Sequence, residues 1–394
     1  MVPTRRLYQI NSSRILQEIR QNRGKSRIAI AEDLDLDRST ITKVVRQLLE
    51  YGVVRTTGKF HGKPGVGRMA TGLEIDPDFA LVLGIEVQTE IFRTVLVNLD
   101  GEILHAETCA FEGSDLEKSV TQLIEDQIAK TRGTGKPLAG IGIGLSGIVD
   151  PYEGVILKSN PLDIHEPLAL KKILEKRFSC PVFIENDANC CCWSEKAFRR
   201  APSDRNFLAI LGEFRNIDIQ NNRISGIAVG LGIVIRDNVL HGDSFTAGEF
   251  KSLLYREDDP GRSQFSISDD EAARLPGDAL ILDRVFREVA YNISLLVNTL
   301  DITRIVIAGD FVRYPEAITA HLDSEINRNW PYPEEKTCSI VFSPDGEQSV
   351  SLGAAGLFIQ KLFSVPEMTD HIDEPVGLIL LDQILHRCLS SSLR

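Results

Sequence analysis

The chain has 394 residues, 43% of them hydrophobic, and a formal net charge of −12. That length exceeds what one core serves, so two or three globular units are expected. No apolar run approaches the ~20 residues of a membrane span and MVPTRRLYQINSS lacks a signal-peptide core, which predicts a soluble, cytoplasmic protein with no membrane partner.

The charge is uneven. Residues 1–70 hold 14 basic and 6 acidic side chains, which leaves 30 and 50 for residues 71–394. A basic head on an acidic body points to nucleic acid. The seven cysteines include the adjacent Cys190, Cys191 and Cys192 but no C-x-x-C pair, so neither a disulfide framework nor a zinc site is expected. The three neighbours read as small helix-packing residues.

Ile15, Leu16 and Ile19 form one stripe behind Asn11 and two serines, predicting a capped amphipathic helix over Asn11 to Arg23. A short helix follows over about Arg27 to Leu34, with Ile28, Ala31 and Leu34 at helical spacing. Asp37 then caps a third helix whose Ile41, Val44, Val45, Leu48 and Leu49 face inward and which Gly52 stops. Its other face carries Arg38, Ser39, Thr40, Thr42, Lys43 and Arg46, short polar and long cationic side chains suited to base edges and phosphates. Val53 to Thr57 and then Gly58 to Gly67 suggest a wing hairpin bearing Lys59, Lys63 and Arg68. A generic three-helix bundle would need neither the turn nor the basic wing.

Beyond Gly72 the pattern changes to strands. LVLGIEV, FRTVLVNLD and EILHAET read as an antiparallel meander, and Ser114 with Glu117 as a capping box before the next helix. LAGIGIGLSG is a glycine-studded buried strand, and SNPLDIHEPLAL a polar loop leading into another helix. A second meander, FLAILGEF and GIAVGLGIVI, brackets a polar insert at 215–223. The helix ALILDRVFREVAYNISLLVNTL, the strands RIVIAG and SIVFS, and the helix SVSLGAAGLFIQKLF then complete a second α/β lobe.

Between the meanders lies PVFIENDANCCCWSE, a short apolar strand running into Asn186, Asp187 and Asn189 and then a helix. Ligands of open α/β sheets bind where strands end, and a carboxylate at a helix N-terminus is held ionised by the dipole. An ionised Asp187 beside two amides can grip hydroxyl groups. The plainer alternative is that Asp187 or Asn189 only caps the helix.

A winged helix-turn-helix followed by GIGIGLSGIVD, IENDAN, GIAVGLGIVI and TAGEF, in that order, resembles the ROK family of sugar kinases and sugar-responsive repressors. The resemblance implies a winged helix-turn-helix over 1–72 and a two-lobed, actin-like and hexokinase-like α/β domain over 73–394. Lobe 1 spans about 78–200, lobe 2 about 201–365 and a tail helix about 370–394. It further implies a sugar in the interlobe cleft, held by Asn160, Asn186, Asp187 and Glu249, with Asp187 the general base in the kinases.

The departures from the kinase pattern bear on function. Where the kinases hold nucleotide phosphates with an Asp-x-Gly-x-Thr turn, this chain has Glu86-Val87-Gln88-Thr89-Glu90, and Gln88 adds bulk where glycine lets backbone approach an anion. Glu90 and Asp310 add negative charge on the nucleotide side, and Ile227 replaces a hydroxyl residue. Ser252 stands where the family's zinc histidine belongs. The expectation is therefore a transcriptional regulator of repressor type, a homodimer or higher homo-oligomer, that binds operator DNA and a sugar effector, with no catalytic residue, metal or cofactor. The rivals are an ATP-dependent sugar kinase and a DNA-binding regulator with an empty sugar site.

Overall fold

The computed structural model describes residues 4–60, 70–111, 115–199, 205–215, 226–255, 264–366 and 376–391. Helix α1 (Thr4–Gln21) begins well ahead of the expected cap, so Asn11, Ser12 and Ser13 lie inside it. Ser12 and Ser13 are buried, and the Ser13 hydroxyl accepts the Leu378 N–H at 2.9 Å, satisfying a free donor of another helix.

After β1 (Lys25–Ser26), α2 (Arg27–Leu34) is capped by Ser26 and ends at Asp35 with φ 50°. It buries Ile30 and Ala31 and leaves Ile28 51% exposed, correcting the expected stripe. Two residues along a helix is about 200°, so seating Ile30 turns Ile28 outward. Helix α3 (Arg38–Glu50) starts as expected, Asp37 accepting the Ser39 and Thr40 N–H groups at 2.9 Å each. Strands β2 (Val54–Phe60) and β3 (Ala70–Ile75) pair antiparallel from Val54 opposite Ile75 to Phe60 opposite Ala70.

Lobe 1 is built on β4 (Leu81–Val87), β5 (Ile91–Val97), β6 (Ile103–Ala110), α4 (Leu116–Thr131) and β7 (Leu138–Leu145). The small hairpin β8 (Ile148–Asp150) and β9 (Val155–Lys158) leads to α5 (Leu170–Phe178), β10 (Val182–Asn186) and α6 (Asp187–Ser194). The sheet order is β10-β7-β4-β5-β6, parallel from β4 to β10 and antiparallel at β5 and β6. Asp115 accepts the Lys118 N–H at 3.1 Å in the first turn of α4. Ser114, expected as that cap, lies outside the described residues.

Lobe 2 repeats this plan with β11 (Phe207–Glu213), β12 (Ala228–Ile235) and β13 (Asn238–Val239), then α7 (Asp269–Ala272), α8 (Ala279–Thr299), β14 (Arg304–Gly309), α9 (Pro315–Arg328) and β15 (Ser339–Phe342). Its order is β13-β12-β11-β14-β15, with β11, β14 and β15 parallel and β12 antiparallel.

Helix α10 (Ser349–Leu362) does not complete lobe 2; it crosses back onto β4 and β7 of lobe 1 and onto α6. The glycines of those strands make room for it. A Cβ at Gly84 would stand 2.0 Å from the Ser351 carbonyl, and one at Gly142 1.9 Å from that of Ala354. Helix α11 (Leu378–Ser391) packs on α1, so one apolar core runs from Ile15 and Ile19 of the head through Val82 and Phe183 to Phe358 and Leu381. The head is therefore seated on lobe 1 by continuous apolar burial, the main source of stability in such a contact.

Candidate functional site

The expected ligand residues come from both lobes, Asn160, Asn186 and Asp187 from lobe 1 and Glu249 from lobe 2. Asn186 is the cap of α6: its side chain accepts the Ala188 and Asn189 N–H groups at 2.9 and 3.2 Å and donates to the Gly147 carbonyl at 3.1 Å. Neither Asp187 nor Asn189 caps through the ordinary position. Asn189 points its amide at Glu185 Oε1, 3.2 Å away. Asp187 is buried, its Oδ1 accepting the Ala188 N–H at 2.8 Å. Burial and then the charge of Glu213 push its carboxyl up to about 6, against the pull of Arg215.

Asn160 is exposed and follows Ser159, whose hydroxyl donates to the Ser146 carbonyl at 2.5 Å, so its loop is pinned to the same strand end. Glu249 belongs to lobe 2. The Leu231 N–H donates to the Gly248 carbonyl at 3.1 Å, and Gly248, with φ 94°, comes so close that a Cβ would meet the Leu231 carbonyl at 1.9 Å. One residue along β12, a Cβ on Gly230 would lie 3.8 Å from Asp187 Oδ1. Glu249 follows Gly248 and is exposed, with partial desolvation raising its carboxyl pKa. Among the described residues no hydrogen bond joins Glu249 or Asn160 to the other two.

A second contact crosses the cleft at Glu185, which is 1% exposed. Its Oε2 accepts from Trp193 Nε1 at 3.0 Å and meets His241 Nε2 of lobe 2 at 2.8 Å. Burial alone would raise this carboxyl, but the bonds from His241 and Trp193 hold it below its ordinary value. Tyr152 of lobe 1 lies edge-on to His241 at 5.8 Å.

Side chains of both lobes meet across the ends of β4 and β11, where the kinase resemblance would place nucleotide phosphates. Gln88 Nε2 donates to Glu86 Oε1 of β4 at 2.6 Å and to Glu213 Oε1 of β11 at 2.7 Å, clamping the two sheets together. Arg93 bonds the same Glu86 oxygen at 3.2 Å, while Arg215 bonds Glu213 at 3.1 Å and the Ser146 hydroxyl at 3.2 Å. Glu86 is 2% exposed, and burial followed by the Glu213 charge pushes its carboxyl up to about 8. The remaining cavity, about 40 Å³, is lined by Glu86, Gln88, Glu213, Asp310 and Glu347 among others. Glu90 is not in that lining and is exposed, which corrects its expected place; the second carboxylate facing Glu86 is Glu213. Sequence reading missed Glu213 and Arg215. Their signal was positional, since they end β11 as Glu86 and Gln88 end β4 in the other copy of the plan.

Around Ser252, side-chain hydrogen bonds order the chain. Gln264 bonds Val229 through both its main-chain groups, at 2.7 and 2.8 Å, and the Phe250 carbonyl at 2.7 Å. Asn292 donates to the Ser252 hydroxyl at 3.1 Å and accepts the Leu253 N–H at 2.8 Å. Among the described residues no His, Cys, Asp or Glu cluster is arranged to hold a metal.

In the head, Arg38, Ser39, Thr42, Lys43 and Arg46 are exposed on one face of α3, with Thr40 half-buried at its start. The Ser39 and Thr40 hydroxyls are turned back onto Asp37, each at 2.5 Å. Lys43 Nζ lies 5.4 Å from the Tyr8 ring centre and Arg46 3.7 Å from Glu50, loose contacts that leave both cations available. The Lys59 side chain, Lys63 and Arg68 lie outside the described residues.

Residues 82–251 match the ROK family and residues 10–55 the winged helix-turn-helix DNA-binding family. The chain carries a ROK domain behind a winged helix-turn-helix head. A putative xylose repressor of a Caldicellulosiruptor species is 31% identical over 245 residues, 61% of this chain and 57% of that protein. The xylose repressor of Bacillus subtilis is 26% identical over 61% of this chain and 59% of its own length. This chain thus spans less than two thirds of these relatives' own length. In fold it is similar to a crystal structure of a ROK family transcriptional regulator, a homolog of the E. coli MLC protein. That match has a TM-score of 0.75 at 20% identity and covers 97% of this chain and all of that one. A ROK family glucokinase from Streptomyces griseus matches with a TM-score of 0.54 at 20% identity, over 71% of this chain and 99% of its own.

Proposed function

We propose that this chain is a DNA-binding transcriptional regulator of repressor type whose DNA affinity is set by a sugar in the interlobe cleft, and that it does not phosphorylate the sugar. The observation that carries this reading is the Gln88 clamp: two carboxyls and an amide of the chain fill the side of the cleft that would take nucleotide phosphates. A triphosphate there would meet Glu213, Asp310 and Glu347 at close range, a repulsion of several kcal/mol in a poorly solvated cleft. Asn186, Asp187, Glu249 and Asn160 hold the sugar, and the relatives' names make xylose the first candidate. The 1–72 head reads the major groove through Arg38, Ser39, Thr40, Thr42, Lys43 and Arg46, with the wing residues Lys59, Lys63 and Arg68 on phosphate. Two copies act together in the cytoplasm, as half-site recognition requires.

The mechanism is a population shift: a sugar that bridges the two walls favours one closure angle, and that angle sets how paired heads are spaced on DNA. A thermal-shift panel of pentoses and hexoses beginning with D-xylose, with and without ATP, tests it alongside DNA release. The reading expects a sugar that raises the melting temperature and releases DNA, with no ATP effect. Sugar-dependent ADP formation abolished by Asp187→Asn would overturn it. Replacing Lys43 and Arg46 by alanine should weaken DNA binding and flatten its salt dependence by about two counterions.

A further inference from the structure

We propose that the π turn Glu195–Arg199, which continues α6, relays lobe closure to the DNA-binding head, and that Arg20 of α1 is its coupling residue; this rests on the regulator reading above. Helix α6 begins on the ligand wall at Asn186 and Asp187 and passes from Ser194 straight into the π turn. Such a turn breaks the regular ladder and leaves main-chain carbonyls for outside donors, and π turns recur at functional sites. Here the Ala197 carbonyl accepts Arg20 Nη2 at 3.2 Å and the Lys196 carbonyl accepts Gln360 Nε2 of α10 at 2.6 Å. The other arm of the Arg20 fork, Nη1, takes the Ile359 carbonyl at 3.2 Å, and the guanidinium lies 4.4 Å over the Phe363 ring. One side chain therefore rivets the last turn of α1 to the end of α6 and to the end of α10.

The side chains of the same turn reach into lobe 2. Glu195 Oε2 accepts Arg304 Nη2 at the start of β14 at 2.6 Å, Arg199 pairs with Asp345 beyond β15, and Lys196 donates to the Asp237 carbonyl beside β13. Five consecutive residues thus touch lobe 2, α10 and the head. A rotation of lobe 2 moves three anchors of the turn, and with them the carbonyl under Arg20. Helix α1 passes the displacement on through Tyr8, which bonds Gln47 of the DNA-reading helix. The planar fork matters because it fixes two carbonyls at one separation, which a lysine ammonium cannot do.

The test uses the full chain, a DNA duplex selected on the wild-type protein from a random pool, and the sugar panel beginning with D-xylose. The measured quantity is the ratio of DNA dissociation constants with and without saturating sugar, expected at roughly ten or more for the wild type. For Arg20→Lys, sugar-free DNA affinity and the sugar midpoint should stay within about two-fold of wild type while the ratio falls toward one. Glu195→Gln, on the lobe 2 side, should lower the ratio in the same direction. An Arg20→Lys ratio equal to wild type overturns the relay. Independently of any variant's folding, hydrogen exchange on the wild type should show sugar altering protection in residues 195–199 and 10–21 together, and a change confined to one of them also overturns it. A wild type whose DNA binding no panel sugar alters removes the regulator reading and the relay together, a result distinct from a responsive wild type with an equally responsive variant.

Discussion

The two sides of the cleft are built from the same kind of strand end and have opposite fates. On the side where the resemblance puts the sugar, Asn186 spends its side chain on the helix cap and Gly147, leaving Asp187 with the Ala188 N–H and the Ser146 hydroxyl as partners and room to accept others. On the side where the kinase resemblance puts phosphates, Glu86 Oε1 and both Glu213 oxygens are taken by Gln88, Arg93 and Arg215, and the buried Glu86 Oε2, with no partner among the described residues, suits a carboxyl that keeps its proton. Buried polar groups left with spare capacity bind; those already paired hold structure. The difference teaches that a two-site fold can keep one site open by closing the other with side chains.

The sharpest way to break this comparison is pH. Glu86 keeps in the folded state a proton that the unfolded chain sheds above its ordinary 4.5, up to about 8. A folded pKa raised in a carboxyl means stability is lost as pH rises between those values and is flat above them. Asp187, raised from 3.8 to about 6, acts in the same direction. Glu86→Gln should match wild type near pH 4 and exceed it by on the order of a few kcal/mol at pH 8 in denaturant titrations. A wild type whose stability rises from pH 5 to 8 would show that the clamp is an ionised pair instead.

The next effect belongs to the open side. Asp187→Ala removes an acceptor for sugar hydroxyls worth about 1.5–3 kcal/mol, so the effector midpoint should rise roughly ten- to a hundred-fold. Because Asn186 holds the cap, the fold should lose at most about 1 kcal/mol. A large drop in melting temperature with an unchanged midpoint would make Asp187 a structural residue.

Gln88→Gly restores the glycine of the kinase turn and tests whether closure depends on one amide. Losing two bonds, one of them across the cleft to Glu213, should cost about 1–2 kcal/mol of stability. ATP should still give no thermal shift, since Glu213 and Asp310 remain. An ATP-induced stabilisation of this variant would show that Gln88 alone bars the nucleotide.

Much of this plan was legible in the sequence where local chemistry decides. Asp37 as the cap of α3, the apolar stripe from Ile41 to Leu48 and the strand begun at Val182, read to Ile184 and found to run to Asn186, all rest on spacing that neighbours in the chain enforce. The failures share a cause: each depends on a partner far along the chain. Ser13 looked like a cap for its own helix and serves α11, 365 residues away. SVSLGAAGLFIQKLF followed lobe 2 in sequence but fits the glycine row of lobe 1. Glu213 is unremarkable until β11 sets it opposite Gln88. At the cleft, the residue types were readable, whereas which of Asn186, Asp187 and Asn189 caps depended on side-chain directions no spacing encodes.

The smallest expected effect sharpens the comparison within the open side. Glu249 and Asp187 come from different lobes, and only Asp187 is buried. A hydrogen bond made at an exposed rim replaces one to water and nets about 0.5–1.5 kcal/mol, so Glu249→Gln should raise the effector midpoint only about three- to ten-fold. The amide keeps one acceptor oxygen, and Gly248, which sets the loop on β12, is untouched, so stability should not change measurably. The variant also reports on closure. If the lobes close over the sugar, Glu249 leaves water and its loss should approach that of Asp187→Ala; if they stay apart, the ten-fold gap between the two persists. Isothermal titration of both variants with one sugar distinguishes the cases, and a Glu249→Gln midpoint equal to wild type would confine the site to the lobe 1 wall.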